Sequence, residues 1–245
     1  MSEIAPSPAT NRPSTPPDAK IDHAASLRYW NSVPANAHVM LGMLGQYPWY
    51  TRIDLRGSKT FLNKVRRLIP DCPTEGKLGR GVDCGAGVGR VTEGLLSQVC
   101  TTVDAVEPVE KFTQVMRDSV LKRDGVVGEI YTMGLEDWTP ERQYDLIWTQ
   151  FCVGHLTDRQ LVEYFVRCRE ALTATGVLVV KENQSTDPKG EDMYDDEDSS
   201  VTRTDEKFRN LFKESGLSVL ASELQLGFPK NFRLLPVRFY ALRPV

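Results

Sequence analysis

The segment Asp83-Cys84-Gly85-Ala86-Gly87-Val88-Gly89-Arg90 has the residue types and spacing of a ligand-binding turn. Glycine serves where a backbone bends sharply or passes close to a ligand. Val82 closes an apolar run before the turn, and Val88, Val91, Thr92 and Leu95 fall at helical spacing after it. This reads as strand, turn and helix start, and a helix start presents unpaired N–H groups. Glu107 follows 22 residues beyond Gly85, directly after the apolar run Thr101-Thr102-Val103-Asp104-Ala105-Val106. An acid at about that distance holds the ribose hydroxyls in nucleotide-binding α/β folds. The glycines alone are also compatible with a plain structural turn. Two successive strand ends that each carry an acid favour a shared crevice. The spacing Asp-x-Gly-x-Gly-x-Gly lacks the later third glycine of the pyrophosphate-binding form. It suits a nucleoside without a pyrophosphate, which points to S-adenosylmethionine and away from a nicotinamide cofactor.

A second cluster of chemistry-bearing residues lies downstream. Glu191, Asp192, Asp195, Asp196, Glu197 and Asp198 place six acids in eight residues, in a loop that leaves a strand end. Such a run is either a solvated loop or a site for a cation, because crowded like charges repel unless a cation offsets them. EF-hand spacing is absent, so no metal is expected, and an amine or basic peptide is the better candidate. His155 also stands at a strand end. It reads either as a hydrogen-bonded structural residue or as a proton acceptor, its ordinary pKa being ~6.5. Gln150 and Asn183 end their strands with side chains that both donate and accept hydrogen bonds.

These residues must be positioned by a fold, and the rest of the 245-residue chain supplies it. Strands are expected at 79–84, 101–106, 128–133, 144–149 and 177–181, alternating with helices, which signals a parallel sheet. Helices are expected at 58–69, 110–123 and near 203–215. Thr157 and Gln160 form a capping box for another helix. Strands 217–224 and 236–242 are expected as an antiparallel hairpin at the sheet edge. Residues 1–20, with five prolines, read as a disordered leader. Residues 21–57 carry Trp30, Tyr47, Trp49 and Tyr50 and read either as a lid over the ligand edge or as core packing. The methyltransferase-like domain would then span 58–245.

Composition excludes several classes. A net charge of −3 without a basic run argues against nucleic acid. Five scattered cysteines argue against a disulfide framework or a zinc site and for a reducing compartment. No apolar run is long enough for a membrane span.

Taken together, these segments resemble the protein N-terminal Xaa-Pro-Lys N-methyltransferases, an α-N-methyltransferase family of the class I group, in a fungal-like form. The resemblance covers about residues 27–243. It is carried by Tyr29-Trp30, Met40-Leu41-Gly42, the glycine turn, Gly134-Leu135-Glu136-Asp137, Trp148-Thr149-Gln150, Gly154-His155-Leu156-Thr157-Asp158, Lys181-Glu182-Asn183, Asp198-Ser199-Ser200-Val201 and Tyr240-Ala241-Leu242-Arg243. The glycine turn is common to all class I methyltransferases; the segments around His155 and Asp198 are specific.

The resemblance implies a seven-strand, Rossmann-like, mostly parallel sheet with an antiparallel C-terminal hairpin and an N-terminal helical lid. It implies that Gly85, Gly87 and Arg90 hold the methionine carboxylate of S-adenosylmethionine, Glu107 the ribose, Leu135 and Glu136 the adenine, and that Gln150 touches the cofactor. Trp30 would wall the substrate channel, and Asn183 would hold the substrate's second residue. Asp195 and Asp198 would receive the basic third residue or the terminal amine. His155 and Asp198 would be the deprotonating pair, with Ser200 nearby. The implied activity is methylation of the α-amine of Xaa-Pro-Lys/Arg termini after Met removal, in the cytoplasm and also the nucleus, with ribosomal proteins among the substrates. The family's substrate-side Tyr is missing near Leu234-Leu235-Pro236, and Phe151 stands where a Trp is common. The alternatives are a same-fold methyltransferase acting on a small-molecule amine or internal lysine, and a non-catalytic binding module.

Overall fold

The computed structural model describes residues 15–245. The strands are β1 (Leu78–Cys84), β2 (Cys100–Val106), β3 (Val127–Tyr131), β4 (Tyr144–Gln150), β5 (Leu172–Asn183), β6 (Met193–Asp195), β7 (Ser200–Thr202), β8 (Leu217–Leu224) and β9 (Val237–Pro244). Seven form one sheet in the order β3-β2-β1-β4-β5-β9-β8. β1 to β5 pair in parallel, and β9 runs antiparallel to both β5 and β8. The expected C-terminal hairpin is present, but its second strand inserts beside β5, so β8 alone forms the edge. The register aligns Cys84 with Val106 and Thr149, and Gln150 with Lys181. The carboxyl ends therefore share one edge, where open α/β sheets bind ligands.

Helices cover both faces. On one, α1 (His23–Ser32), α2 (Ala37–Met40) and α3 (Pro48–Leu68) belong to the N-terminal half. Phe61, Leu62 and Val65 of α3 pack with Leu95, Trp148, Val179 and Phe239. Behind the glycine turn a wide π-type turn, Thr92–Leu96, leads into α4 (Ser97–Val99). Then come α5 (Glu110–Arg117), α6 (Val120–Arg123), α7 (Asp158–Glu170) and α8 (Asp205–Glu214). Leu161, Phe165, Phe208 and Phe212 of the last two pack on Ile147, Val180 and Tyr240. Each fully buried side chain of this size contributes about 1.5–3 kcal/mol.

Four expectations shift. The helix expected at 58–69 starts at Pro48 and runs unbroken through residue 57, so the lid segment and the sheet domain share it. Proline at a first helical position is a start signal, since its missing N–H has no partner there anyway. The helix expected at 110–123 breaks, and Ser119 caps α6 by accepting from the Lys122 N–H. The acidic loop contains a two-stranded ribbon, β6 with β7. The end of the expected disordered leader, Pro17–Lys20, is a 3-10 turn whose Asp18 carboxylate accepts from the Asp158 N–H at 3.0 Å. Residues 1–14 lie outside the described residues.

The loop carrying His155 is held from two sides. Glu182 accepts from the N–H groups of Cys152 and Val153, at 2.7 and 3.1 Å. The fully buried Arg203 donates to the Val153 and Leu156 carbonyls and to the Asp158 carboxylate. Removing this guanidinium takes the donor from the Leu156 carbonyl and leaves the Val153 carbonyl only the Leu156 N–H and Asp158 only Lys207. Arg203→Met is therefore expected to cost about 3 kcal/mol and to lower the melting temperature by roughly 10 °C. A calorimetric shift under about 2 °C would show that the loop does not depend on it.

Candidate active site

Two cavities meet at the carboxyl edge. One encloses about 740 Å³ between α1 and the strand ends, against Ser26, Leu27, Glu107, Leu135, Glu136 and His155. The other, about 1180 Å³, is bordered by Tyr50, Asp83, Arg90, Gln150, Asn183 and Leu235. Trp30, Met40, Gly85, Gly87 and Phe151 face both.

The turn between them needs its glycines. Gly85 and Gly87 have φ of +72° and +56°, and a Cβ on Gly85 would lie 2.4 Å from the Cys152 Cβ. The N–H groups of Gly85 and Ala86 donate to the Val106 carbonyl, and that of Gly87 to Glu107 Oε2 at 2.9 Å. The turn's amides are thus engaged with the neighbouring strand end and form no cradle for a pyrophosphate. Glu107 Oε1 accepts from the Val109 N–H. Burial pushes the Glu107 carboxyl up to about 7, despite these two donors. Burial likewise raises Asp83 to about 6, against the Thr92 hydroxyl that donates to it at 2.6 Å.

Arg90 and Gln150 face the second cavity while anchored behind it. Arg90 Nη1 donates to Asp54 Oδ2 at 2.7 Å. The Gln150 amide donates to both Asp54 oxygens at 3.1 Å and accepts from the Trp148 indole. The apolar part of the first cavity, with Leu27, Pro108, Val109, Leu135 and Leu156, suits a purine ring. Glu107 suits the ribose, and the Arg90 guanidinium, at the far end, suits a carboxylate. These residues fit S-adenosylmethionine.

His155 is gripped by α1. Its Nδ1 pairs with the Ser26 hydroxyl at 3.0 Å, and its Nε2 accepts from the Trp30 indole N–H at 3.2 Å. Nε2 is therefore the unprotonated nitrogen, and Nδ1–H donates to Ser26. Burial lowers the imidazole pKa, with Asp198, 4.0 Å away, opposing. Asp198 Oδ1 is buried and has no hydrogen-bond partner.

The sequence-derived residues thus fall into groups. Gly85, Gly87, Glu107, Leu135, Glu136, Trp30 and His155 meet at the first cavity, and Arg90, Gln150 and Asn183 at the second. Asp198 Oδ2 lies 4.0 Å from His155 Nε2, and Asp198 does not itself border either cavity. Asp195 and Ser200 border neither cavity: Asp195 is exposed and accepts from the Glu197 N–H, and Ser200 lies on β7 opposite it. Tyr240 is fully buried, its hydroxyl donating to Asp205 at 2.6 Å with the Gln184 amide 2.9 Å away. Leu234 and Leu235 border the second cavity where a tyrosine was missed, and Tyr50 of α3 brings a phenol to it instead. Trp30 walls the cavities, while Tyr47 and Trp49 pack on Phe232.

Sequence reasoning missed Ser26, Asp54 and Lys181. Asp54 left a trace, as a lone acid in line with Ser58, Phe61, Leu62 and Val65 on the buried face of α3.

Comparison with known proteins adds to this geometry. A family model described as "AdoMet dependent proline di-methyltransferase" matches residues 18–243. The chain is 42% identical over 227 residues to alpha N-terminal protein methyltransferase 1 of Schizosaccharomyces pombe, covering 91% of this chain and 96% of that one. It is 35% identical over 227 residues to N-terminal Xaa-Pro-Lys N-methyltransferase 1 of Rattus norvegicus, covering 92% and 97%. A SAM-dependent methyltransferase from Leishmania major superposes with a TM-score of 0.76 at 33% identity, over 90% of this chain and 82% of that one.

A ribose site at Glu107 would give cofactor binding a pH dependence. The folded pKa of Glu107, about 7, lies above the ordinary carboxylate value of ~4.3, so the cofactor-free protein holds the extra proton between them. Its contribution to stability is complete below the lower value and lost as pH rises through the upper one. Glu182, raised to about 7, acts in the same sense, and His155, lowered, opposes. Ribose hydroxyls are received by the ionised form. In calorimetry, affinity for S-adenosylhomocysteine is expected to rise between pH 6 and 8. In Glu107→Gln it should fall about tenfold at pH 8 and lose most of this slope. An unchanged slope would remove Glu107 from the ribose site.

Proposed function

The chain belongs to the AdoMet-dependent proline dimethyltransferase family, and from that premise we propose that it methylates the α-amino group of protein N-termini bearing an Xaa-Pro-Lys or Xaa-Pro-Arg motif after Met removal. The observation that carries this reading is Asp198, whose Oδ2 lies 4.0 Å from a neutral His155 and whose buried Oδ1 has no partner. A buried carboxylate oxygen without a donor is costly, and a substrate ammonium supplies the donor.

S-adenosylmethionine, held by Arg90, Glu107 and the apolar wall around Leu135, supplies the electrophilic methyl group. The chain's own residues must deliver a neutral amine. A terminal amine has a pKa of ~7.7–8.0 and is mostly protonated at pH 7. Asp198 attracts and orients the ammonium. Burial keeps His155 unprotonated, and Nδ1–H on Ser26 fixes the tautomer that leaves the Nε2 lone pair for the substrate proton. The Trp30 indole N–H donates to that lone pair. The incoming amine must therefore displace the indole N–H, and α1 acts as a gate. Asn183, on the second cavity, is placed for the substrate backbone. Glu191, Asp195, Asp196 and Glu197 are exposed around Asp198 and set a negative field favouring Lys or Arg over an acid at the third position. Processed ribosomal proteins with such termini belong among the substrates in this reading, encountered in the cytoplasm and nucleus.

Two outcomes test it. Purified protein with S-adenosylmethionine should methylate an Xaa-Pro-Lys peptide and leave the N-acetylated peptide untouched; equal labelling of both would sink the proposal. His155→Asn should lower turnover by roughly 10²–10³ and leave affinity for S-adenosylhomocysteine within about threefold. A variant that loses thermal stability yet keeps turnover would make His155 structural.

A further inference from the structure

Lys181 has no place in the chemistry above, yet its side chain has no exposed surface. Its ammonium is fully partnered. It donates to Asp54 Oδ1, to the Ser58 hydroxyl at 3.0 Å and to Gln225 Oε1 at 3.1 Å, and the Phe239 ring lies 4.6 Å away. Gly57 makes room in mid-helix, because a Cβ there would lie 2.3 Å from the Gln225 side chain. Asp54, also without exposed surface, turns its other oxygen to Arg90 Nη1. Burial alone would raise the Asp54 carboxyl, but Lys181 and Arg90 overcome it and hold it below the ordinary range.

The charges decide what this cluster is for. Asp54 with Arg90 alone is a neutral pair, and a carboxylate gains little from a guanidinium whose charge is already matched. Asp83, on the same cavity wall, adds a negative charge. Lys181 takes up the charge of Asp54 from behind. The four groups then balance, whereas without Lys181 they would carry a net negative charge around Arg90. Asp54 meanwhile holds that guanidinium, and Gln150 beside it, in place.

We infer that Lys181, acting through Asp54, is a positioning residue for the cofactor's amino-acid carboxylate: by offsetting Asp54 it keeps the wall around the anchored Arg90 from carrying a net negative charge. This concerns the cofactor side of the crevice and holds whichever amine is methylated. Burial pushes the Lys181 ammonium down to about 8, against the pull of Asp54, so the charge is present at pH 7.

The test compares two ligands by calorimetry at pH 7. S-adenosylhomocysteine carries the carboxylate. 5′-Methylthioadenosine has the same nucleoside and sulfur without it. Lys181→Met is expected to weaken S-adenosylhomocysteine about tenfold and to leave methylthioadenosine within about twofold. The double variant Asp54→Asn/Lys181→Met removes both buried charges and restores the parent's net charge at the wall, Arg90 against Asp83. It is expected to return the ratio of the two affinities to within about threefold of the parent. If Lys181→Met does not fold, the double variant alone decides. A double-variant ratio about tenfold below the parent overturns the inference, as does equal weakening of both ligands by the single variant.

Discussion

The crevice depends on one buried carboxylate. Asp54, on a helix outside the sheet, gathers Arg90 from the start of the helix behind the glycine turn, Gln150 from the end of β4 and Lys181 from the end of β5. Removing one partner from such a cluster leaves an uncompensated buried charge, which costs several kcal/mol. The N-terminal segment is therefore part of the cofactor site's back wall. The same helix brings Tyr50 to the second cavity, and the chain before it brings Trp30 and Ser26 to the first.

The last residues of β5 show how few positions organise both walls. Successive strand residues point to opposite faces. Lys181 turns to the α3 side and binds Asp54, and Glu182 turns to the other and holds the amides of the His155 loop. Asn183 turns back to the second cavity. One tripeptide thus anchors the Asp54 cluster and the His155 loop and sets an amide on the second cavity. Phe151, in that loop, has φ of +55°, a conformation few side chains adopt. The Lys181 carbonyl, which accepts from the Phe151 N–H, and Glu182, which accepts from the next two amides, hold it. Here rigidity serves chemistry, since an in-line methyl transfer gains much of its rate from fixed reactants.

Features legible in the sequence were local. The glycine spacing, the acid after β2, the alternation of strands and helices and the Thr157–Gln160 capping box each lie within a short window, and each is present in the fold. What escaped depends on distant pairing. Asp54 and Lys181 are 127 residues apart, and Ser26 and His155 are 129 apart. No periodicity announces such contacts. The ribbon of β6 and β7 escaped because three-residue strands within an acidic run carry no alternation to read. The start of α3 escaped because glycines and aromatics before it mask the pattern, although Pro48 marked the place. The resemblance to a known family supplied roles for His155 and Asp198; the structure adds that α1 grips the histidine from both nitrogens.

The central claim is that this crevice presents an α-amine, and no other nitrogen, to the methyl donor. The most direct measurement uses one peptide with a free Xaa-Pro-Lys terminus and a second lysine further along, incubated with the protein and S-adenosylmethionine. Fragmentation mass spectrometry then locates the methyl groups. The account predicts them on the α-nitrogen alone, with both lysine side chains unmodified. Methyl groups on a lysine side chain would contradict it.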